Sequence, residues 1–308
     1  MCKCSQNYWR IKADYIGENL SPLKVLLTGG SGLLGQYLNI SLSSKYELIT
    51  TYYSEKRNCI NYNYRKLNLE NNSEIIRLFN EIKPDIVIHA GGVSNSNIAD
   101  ELGKELTYKI NVEAAKIISD LCNQNNTKLI YISTDLVYDG EQGEFLTESA
   151  ELNPETVYAE SKLAAEFEVQ KLSSNYLILR MALMFGNGLN GSQNFFTFMI
   201  NNLKNQKPVK LFVDQYRTPL ELSDSARMIT ELLDKKITNE IINFGGRERI
   251  SRFELGELVC NKYNFDPSYL IKTKMSEIPN YTAVADVSMN TDKLSKIGIK
   301  SSKLLSVL

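Results

Sequence analysis

Short apolar runs alternate along the chain with segments in which apolar residues recur every three to four positions. The apolar runs, which predict strands, are 24–27, 47–52, 65–69, 86–92, 128–133, 210–213 and 241–244. The segments of helical period between them are 36–42, 73–83, 104–123, 153–172 and 223–235. This alternation predicts an α/β protein with a Rossmann-type, doubly wound parallel sheet that is covered by helices on both faces.

The first predicted strand leads into a glycine-rich turn that opens a helix, Thr28-Gly29-Gly30-Ser31-Gly32-Leu33-Leu34-Gly35. In this context Gly29 permits the tight turn, Gly32 lets the backbone approach a pyrophosphate, and Gly35 lets the helix pack closely. The free N–H groups at the start of the helix then face the anion. The expected dinucleotide contacts in this turn are Gly29, Ser31, Gly32, Leu33, Leu34 and Gly35.

Two further segments predict cofactor contacts at strand ends. The second strand lacks the acidic residue that binds the ribose hydroxyls of NAD at its tip. Ser54 and Arg57 follow it instead, and they suit the extra phosphate of NADP, although they also fit a solvated loop. The run 86–92 ends in Ala90-Gly91-Gly92, whose small side chains leave room for a cofactor. We therefore expect NADPH or NADH as cofactor, with NADPH favoured.

His89 is the only histidine of the chain and lies inside the apolar run 86–92. Histidine titrates near neutral pH, which makes it a common acid–base group. Its place within a buried strand favours a packing role over a catalytic one.

A tyrosine and a lysine lie four residues apart in the predicted helix 153–172. Tyr158 and Lys162 therefore share one helix face, one turn from each other. A phenol normally titrates near pH 10, and a nearby ammonium favours the phenolate and lowers that pKa. Thr134, at the end of the strand 128–133, is placed to hydrogen-bond a carbonyl oxygen of a substrate. These three residues are the predicted catalytic set.

The glycine spacing and the segments around these residues resemble the extended short-chain dehydrogenases/reductases, and within them the dTDP-4-dehydrorhamnose reductase family. The resemblance covers roughly residues 24 to 300. The motifs that carry it are Ser133-Thr134-Asp135-Leu136-Val137-Tyr138-Asp139-Gly140, Tyr158-Ala159-Glu160-Ser161-Lys162-Leu163-Ala164-Ala165-Glu166, Arg180-Met181-Ala182-Leu183-Met184-Phe185-Gly186 and Asp214-Gln215-Tyr216-Arg217-Thr218-Pro219.

The resemblance implies catalytic roles for Thr134, Tyr158 and Lys162, with Tyr158 and Lys162 also near the cofactor. It places Asn68 and Leu69 against the adenine of the cofactor. It also implies a nucleotide-sugar ketone as substrate, near Thr134 and Asp135.

Two side chains of the C-terminal half are candidates for substrate binding. Asn194 begins an aromatic-rich helix, from which its amide can reach a ligand. Arg217 offers a planar fork suited to a diphosphate, with a structural ion pair as the alternative.

The chain departs from the family in two places. The stretch 282–288 lacks the arginine that family members often carry there, which puts the particular sugar in doubt. Leu136 follows Asp135 where dehydratase relatives place a glutamate, so dehydration is not expected.

Composition narrows the function classes. The chain has 308 residues, 43% hydrophobic and 23% charged, with a formal net charge of −1, so neither nucleic acid nor a membrane surface is an expected partner. The five cysteines are odd in number and scattered, which favours reduced thiols in the cytoplasm. No metal site is expected, because Cys2 and Cys4 lack a second pair of ligands.

We expect three parts of the chain. Residues 1–23 form an N-terminal extension, 24–185 the cofactor-binding domain, and 186–308 mainly a smaller substrate-binding lobe. About 210–250 are expected to return to the first domain.

The resulting hypothesis is a reductase of a nucleotide-linked 4-keto-6-deoxysugar, with a homodimer as one possible assembly. Two alternatives stay open. One is a nucleotide-sugar epimerase, and the other is a non-catalytic partner that resembles the regulatory subunit of methionine adenosyltransferase.

Overall fold

The central feature of the fold is a sheet of seven strands, all parallel. The computed structural model describes residues 21–279, 281–282 and 284–308. From one edge to the other the strands are Glu240–Phe244, Tyr176–Met181, Lys128–Thr134, Ile86–His89, Lys24–Thr28, Glu47–Tyr52 and Asn63–Lys66. The predicted Rossmann-type α/β fold is confirmed.

The order of the strands places a ligand crevice. Strand Lys24–Thr28 pairs on one side with the next strand in sequence, Glu47–Tyr52, and on the other with Ile86–His89. The direction of winding therefore reverses between Lys24–Thr28 and Ile86–His89. In open α/β sheets the crevice outside the carboxyl ends of the strands at such a reversal is where ligands bind.

Helices bury both faces of the sheet. Leu33–Leu42 and Leu222–Leu233 pack on one face, with Leu38 and Ile229 in the same apolar core. The helices on the other face are Asn72–Ile82, Ala114–Gln124 and Val157–Leu172. Apolar side chains that recur every three to four residues give each helix one face to bury, which is why the pattern of the sequence located them.

The C-terminal part has a core of its own. Helices Phe195–Lys204 and Arg252–Tyr263 pack on the two-stranded parallel pair Val209–Phe212 and Leu270–Thr273. The other two-stranded pairs are Met184–Phe185 with Leu220–Glu221 and Tyr216–Arg217 with Ile250–Ser251. The last helices are Asp292–Lys296 and Leu304–Val307.

Several bounds differ from the sequence-based prediction. The helix predicted at 104–123 is divided into Lys104–Tyr108, a π-helical turn Lys109–Glu113 and Ala114–Gln124, and the short helix Ser96–Leu102 precedes it. The next helix begins after Thr156, later than the predicted Asn153-Pro154, because the Thr156 hydroxyl caps it by accepting from the Ala159 amide at 3.2 Å. The strand predicted at 65–69 is Asn63–Lys66.

The predicted return of about 210–250 to the first domain stays a prediction, and the two strands of this segment pair differently. Strand Glu240–Phe244 pairs with Tyr176–Met181, whereas Val209–Phe212 belongs to the C-terminal core. The division into 24–185 and 186–308 stays a prediction. Most of the proposed extension 1–23, with Cys2 and Cys4, lies outside the described residues, while Cys59, Cys122 and Cys260 are free thiols.

Candidate active site

The glycine turn has the geometry of a phosphate cradle. Gly29 has a positive φ of 71°, and a Cβ there would lie 2.6 Å from the Cα of Gly91. A Cβ on Gly35 would lie 2.1 Å from the Gly29 carbonyl oxygen, so neither position admits a side chain. Gly32 is exposed and begins helix Leu33–Leu42 with no side-chain cap and no acidic residue in the first turn. The amides of that turn are therefore available to an anion, and the fit to a dinucleotide phosphate is good.

The other predicted cofactor residues differ in whether they contact this turn. The amide of Gly91 donates to Oγ1 of Thr28 at 3.2 Å, and Leu69 packs against Gly91. Ala90 and Gly92 flank this contact in sequence. Asn68 uses its side-chain oxygen to accept from the Glu70 amide at 3.0 Å, so it holds its own loop. The structure thus brings Leu69 and the 90–92 segment to the turn.

Within the turn, the two leucines differ. Leu33 is partly exposed, whereas the Leu34 side chain is buried in the core beneath the sheet. Only the backbone of Leu34 is therefore suited to a cofactor contact.

Arg57 reaches the turn and Ser54 does not. Nη1 of Arg57 donates to the Ser31 carbonyl at 3.1 Å and to the hydroxyl of Ser192. Ser54 is exposed on the same loop and, within the described part of the chain, makes no hydrogen bond. Arg57 is therefore the better placed of the two predicted phosphate ligands.

Thr134 and Tyr158 meet at the carboxyl edge of the sheet. Thr134 is the last residue of strand Lys128–Thr134, Tyr158 lies in the first turn of Val157–Leu172, and both are buried. Burial raises the pKa of Tyr158 to about 12, although the nearby Thr134 hydroxyl lowers it. The phenol is therefore protonated at neutral pH and is suited to donate a proton.

Lys162 does not have the effect on Tyr158 that the sequence predicts. Its Nζ donates to the Ile132 carbonyl and lies 4.3 Å from the centroid of the Tyr131 ring. Burial lowers the pKa of Lys162 to about 7, although the Glu166 carboxylate raises it. The ammonium is only partly formed near neutral pH, and the predicted lowering of the Tyr158 pKa is not observed.

His89 connects this group to the glycine turn. It is buried, and its Nδ1 lies 2.6 Å from Oγ1 of Thr28, next to the turn. Burial and the nearby Lys162 lower the pKa of His89 to about 3, so it is neutral in the fold. The burial expected from its place in the strand is observed, and His89 lies between Lys162 and the turn.

The predicted substrate ligands are largely used by the protein itself. Arg217 is buried, and its guanidinium donates to the carbonyls of Tyr216, Ala285 and Val284 at 2.6–3.1 Å, with Nε 3.7 Å from Oδ2 of Asp135. This is the ion-pair alternative to the predicted diphosphate contact. Asp135 is buried beside Thr134, and burial raises its pKa against the opposing charge of Arg217.

Asn194 has a structural role as well. Its Oδ1 accepts from the Thr197 amide at 2.8 Å and its Nδ2 donates to the Gly186 carbonyl at 3.0 Å. The side chain therefore caps helix Phe195–Lys204. This differs from the expectation that the amide reaches a ligand.

A family model described as the RmlD substrate binding domain matches residues 23–303. The chain belongs to the RmlD family. The resemblance to dTDP-4-dehydrorhamnose reductases that the motifs indicated is confirmed by this match.

Relatives of this RmlD-family chain include reductases and subunits of methionine adenosyltransferase. The dTDP-4-dehydrorhamnose reductase of Aggregatibacter actinomycetemcomitans is 27% identical over 224 residues, which is 72% of this chain and 71% of the relative. Methionine adenosyltransferase 2 subunit beta of Xenopus laevis is 24% identical over 282 residues, 90% of this chain and 83% of the relative. A crystal structure of dTDP-4-dehydrorhamnose reductase from Bacillus anthracis in complex with NADP has the same fold, with a TM-score of 0.80 and 24% identity, and covers 92% of this chain and 96% of that one.

One residue of this RmlD-family site was missed from the sequence. Asn111 lies in the π-helical turn, where its Oδ1 accepts from the Val93 amide at 2.8 Å and its Nδ2 donates to Oγ of Ser161 at 2.9 Å. Ser161 in turn donates to the carbonyl of Tyr158 at 2.7 Å. Asn111 thus ties the helix of Tyr158 to the segment after Gly92, and a polar residue between Ile110 and Ala114 in an apolar stripe was the available signal.

Within residues 21–279, 281–282 and 284–308, no helix combines the length and apolar character needed to cross a membrane. In the same ranges, no cluster of three or more His, Cys, Asp or Glu side chains is arranged to hold a metal ion. The predicted homodimer stays a prediction.

Proposed function

We propose that this protein reduces the 4-keto group of a nucleotide-linked 6-deoxysugar of the dTDP-4-dehydrorhamnose type. The observation that supports the proposal most strongly is that Thr134, at the end of its strand, lies near the phenol of Tyr158, with Lys162 one helical turn from Tyr158. His89 and Thr28 link this group to the glycine turn. An acid, an orienting hydroxyl and a phosphate cradle lie at one crevice, as ketone reduction requires.

The residues have separate tasks in the reaction. A bound nicotinamide would supply the hydride to the carbonyl carbon. Tyr158 donates its proton to the carbonyl oxygen, which becomes the hydroxyl of the product. Thr134 holds that oxygen in line with the phenol, as a fixed hydrogen-bonding group does at a developing negative charge. Lys162, whose Nζ lies at the Ile132 carbonyl and over the Tyr131 ring, would contact the cofactor ribose.

NADPH is the cofactor we propose. Nη1 of Arg57 donates to the carbonyl of Ser31 in the glycine turn, so its guanidinium would pair with a ribose phosphate bound beside that turn. Lys56 adds a second cation, stacked 5.1 Å from the centroid of the Tyr64 ring. The NADP complex of the Bacillus anthracis relative supports the same choice.

An assay of ketone reduction tests the proposal. dTDP-4-keto-6-deoxysugars are offered with NADPH or NADH, and the loss of reduced nicotinamide is followed by absorbance. Tyr158→Phe is expected to lower kcat/KM by about 10²- to 10⁴-fold, because it removes the proton donor. Tyr263→Phe, a partly exposed tyrosine at the end of helix Arg252–Tyr263, is the matched control and is expected to have no effect.

Other results would contradict the proposal. Full turnover by Tyr158→Phe would remove the tyrosine from the proton transfer. Interconversion of epimers without net consumption of nicotinamide would indicate an epimerase. Co-purification of a methionine adenosyltransferase catalytic subunit, with no ketone reduced, would indicate the role named for the Xenopus laevis relative.

A further inference from the structure

Arg252 lies next to Arg217 for a reason of strand register. Strand Ile250–Ser251 runs antiparallel to Tyr216–Arg217, with Ser251 opposite Tyr216. Ser251 then caps helix Arg252–Tyr263 in a capping box with Glu254. The first residue of the helix is thereby fixed beside Gln215 and Arg217, at the edge of the C-terminal core that is near the catalytic group.

The guanidinium of Arg252 is fixed in position, but not all of its hydrogen-bond donors have a partner. Its Nε donates to Oε1 of Gln215 at 3.0 Å, and its plane lies over the Phe195 ring, 4.5 Å from the ring centroid. Nη1 is buried and has no hydrogen-bond partner among the described residues. Buried donors of native proteins nearly always have a partner, so the unpartnered donor of this fixed guanidinium is available to a ligand.

The positive charges around Arg252 outnumber the negative ones that face them. Arg217 acts on it as a like charge, and the pKa of Arg252 is lowered to about 10, first by burial and then by Arg217. Asp135 is the buried carboxylate that faces both guanidinium groups, and Asp286, the other carboxylate near Arg217, is paired with Arg249 at 2.7 Å. The buried Arg217 and the partly buried Arg252 therefore share one buried carboxylate, which favours the entry of an anion.

We propose that Arg252 binds the diphosphate of the nucleotide-sugar substrate, the role that the sequence assigned to Arg217. This inference rests on the proposed function for the identity of the ligand. Arg217 has no free fork, because backbone carbonyls and Asp135 occupy it, whereas Arg252 presents the parallel donors that a phosphate accepts. Asp135 also acts on Tyr158, so the proposed anion site and the proton donor are both near the same carboxylate.

Calorimetric titration of the full chain with dTDP, dTMP and thymidine tests the proposal. Arg252→Gln is expected to weaken dTDP binding by about 10- to 100-fold, the size of a charge-assisted hydrogen bond or two, and to leave thymidine binding unchanged. Arg252→Lys keeps the charge but lacks the planar fork of donors. Its affinity for dTDP is expected to lie between those of the wild type and Arg252→Gln. Arg247→Gln, at an exposed arginine five residues away, is the matched control and is expected to bind like the wild type.

The outcomes separate this inference from the proposed function. Wild-type affinity of Arg252→Gln for dTDP overturns the inference, even if the wild type reduces the ketone. An equal loss of dTDP and thymidine binding also overturns it, because Arg252 would then shape the pocket and not bind phosphate. Selective loss of dTDP binding in a chain that reduces no ketone would support the inference and refute the function. In the assay of reduction, Arg252→Gln is expected to raise KM more than it lowers kcat.

Discussion

Two arginine sites in this molecule differ in how their donors are used. Arg180, between the sheet and helix Val157–Leu172, has every nitrogen of its guanidinium bonded. Nε and Nη2 donate to the Glu166 carboxylate at 2.8–3.2 Å, and Nη1 donates to the Tyr138 hydroxyl at 2.9 Å and the Glu148 carbonyl at 3.2 Å. Arg252 donates from Nε to Gln215 and has a buried Nη1 with no partner among the described residues.

The pKa shifts follow the same division. The partners of Arg180, above all Glu166, raise its pKa despite burial. Burial and Arg217 lower the pKa of Arg252. A buried charge whose donors are all matched is costly to leave without its partner, whereas a buried donor left unmatched carries a cost that a ligand offsets. The difference in how their donors are matched teaches which of the two arginines to assign to function.

The largest effect is expected from the matched site. Glu166→Ala should lower the free energy of unfolding by about 3–5 kcal/mol, because it leaves Arg180 buried without its counter-charge. Urea unfolding at pH 7.5 measures it. Glu160→Ala, on the same helix, is the control, since its partner Lys104 is exposed and the pair is worth about 0–1 kcal/mol.

A decrease in the free energy of unfolding of less than about 1 kcal/mol for Glu166→Ala would contradict the comparison, because breaking an ion pair this buried costs more than that. The double variant Glu166→Leu/Arg180→Met sharpens it. Removing both charges should recover much of the stability that the single variant loses.

Lys162 is expected to have an effect on the free energy of unfolding that is intermediate between those at the Arg180 and Arg252 sites and that depends on pH. Its pKa is lowered to about 7 in the fold, so between pH 7 and 10 the unfolded chain holds a proton that the folded chain has lost. Stability should therefore rise with pH in this window, by up to about 1.4 kcal/mol per pH unit, as the cost of burying the ammonium disappears.

Urea unfolding of the wild type and Lys162→Met at pH 7.5 and 9.5 measures this contribution. The wild type should gain about 2–3 kcal/mol relative to the variant over that interval. Equal slopes in the two proteins would show that Lys162 stays fully charged in the fold, as the sequence-based view of an ammonium beside Tyr158 assumed.

The sequence is informative wherever local periodicity decides structure. Strand Lys128–Thr134 and helix Val157–Leu172 follow from their apolar patterns, and the helix alone puts Tyr158 and Lys162 on one face. The glycine turn is readable because strand, turn and helix are contiguous. The predicted effect of Lys162 on the pKa of Tyr158 was wrong. The ammonium donates instead to the Ile132 carbonyl, which belongs to another element of the fold.

Pairing between distant segments is what the sequence does not contain. The exchange of roles between Arg217 and Arg252 depends on the antiparallel register of Tyr216–Arg217 with Ile250–Ser251, and on carbonyls near residue 285 that take the fork of Arg217. No local pattern specifies either contact. An arginine in a capping box therefore looked like an ordinary helix residue until the register was known.

The smallest effect on stability is expected at the unmatched site, and it is the sharpest test of the comparison. Arg252→Gln should change the free energy of unfolding by less than about 1 kcal/mol and in the stabilising direction, because it removes a cation that Arg217 repels and that burial penalises. A loss of about 3 kcal/mol or more would make Arg252 a structural arginine like Arg180. Repeating the unfolding with dTDP completes the argument: at 100 times the dissociation constant a ligand adds about 2.7 kcal/mol to the wild type, and the variant should gain clearly less at the same concentration. An arginine that contributes nothing to the empty fold but supplies much of the stabilisation by the diphosphate is one whose unmatched donors are reserved for the ligand.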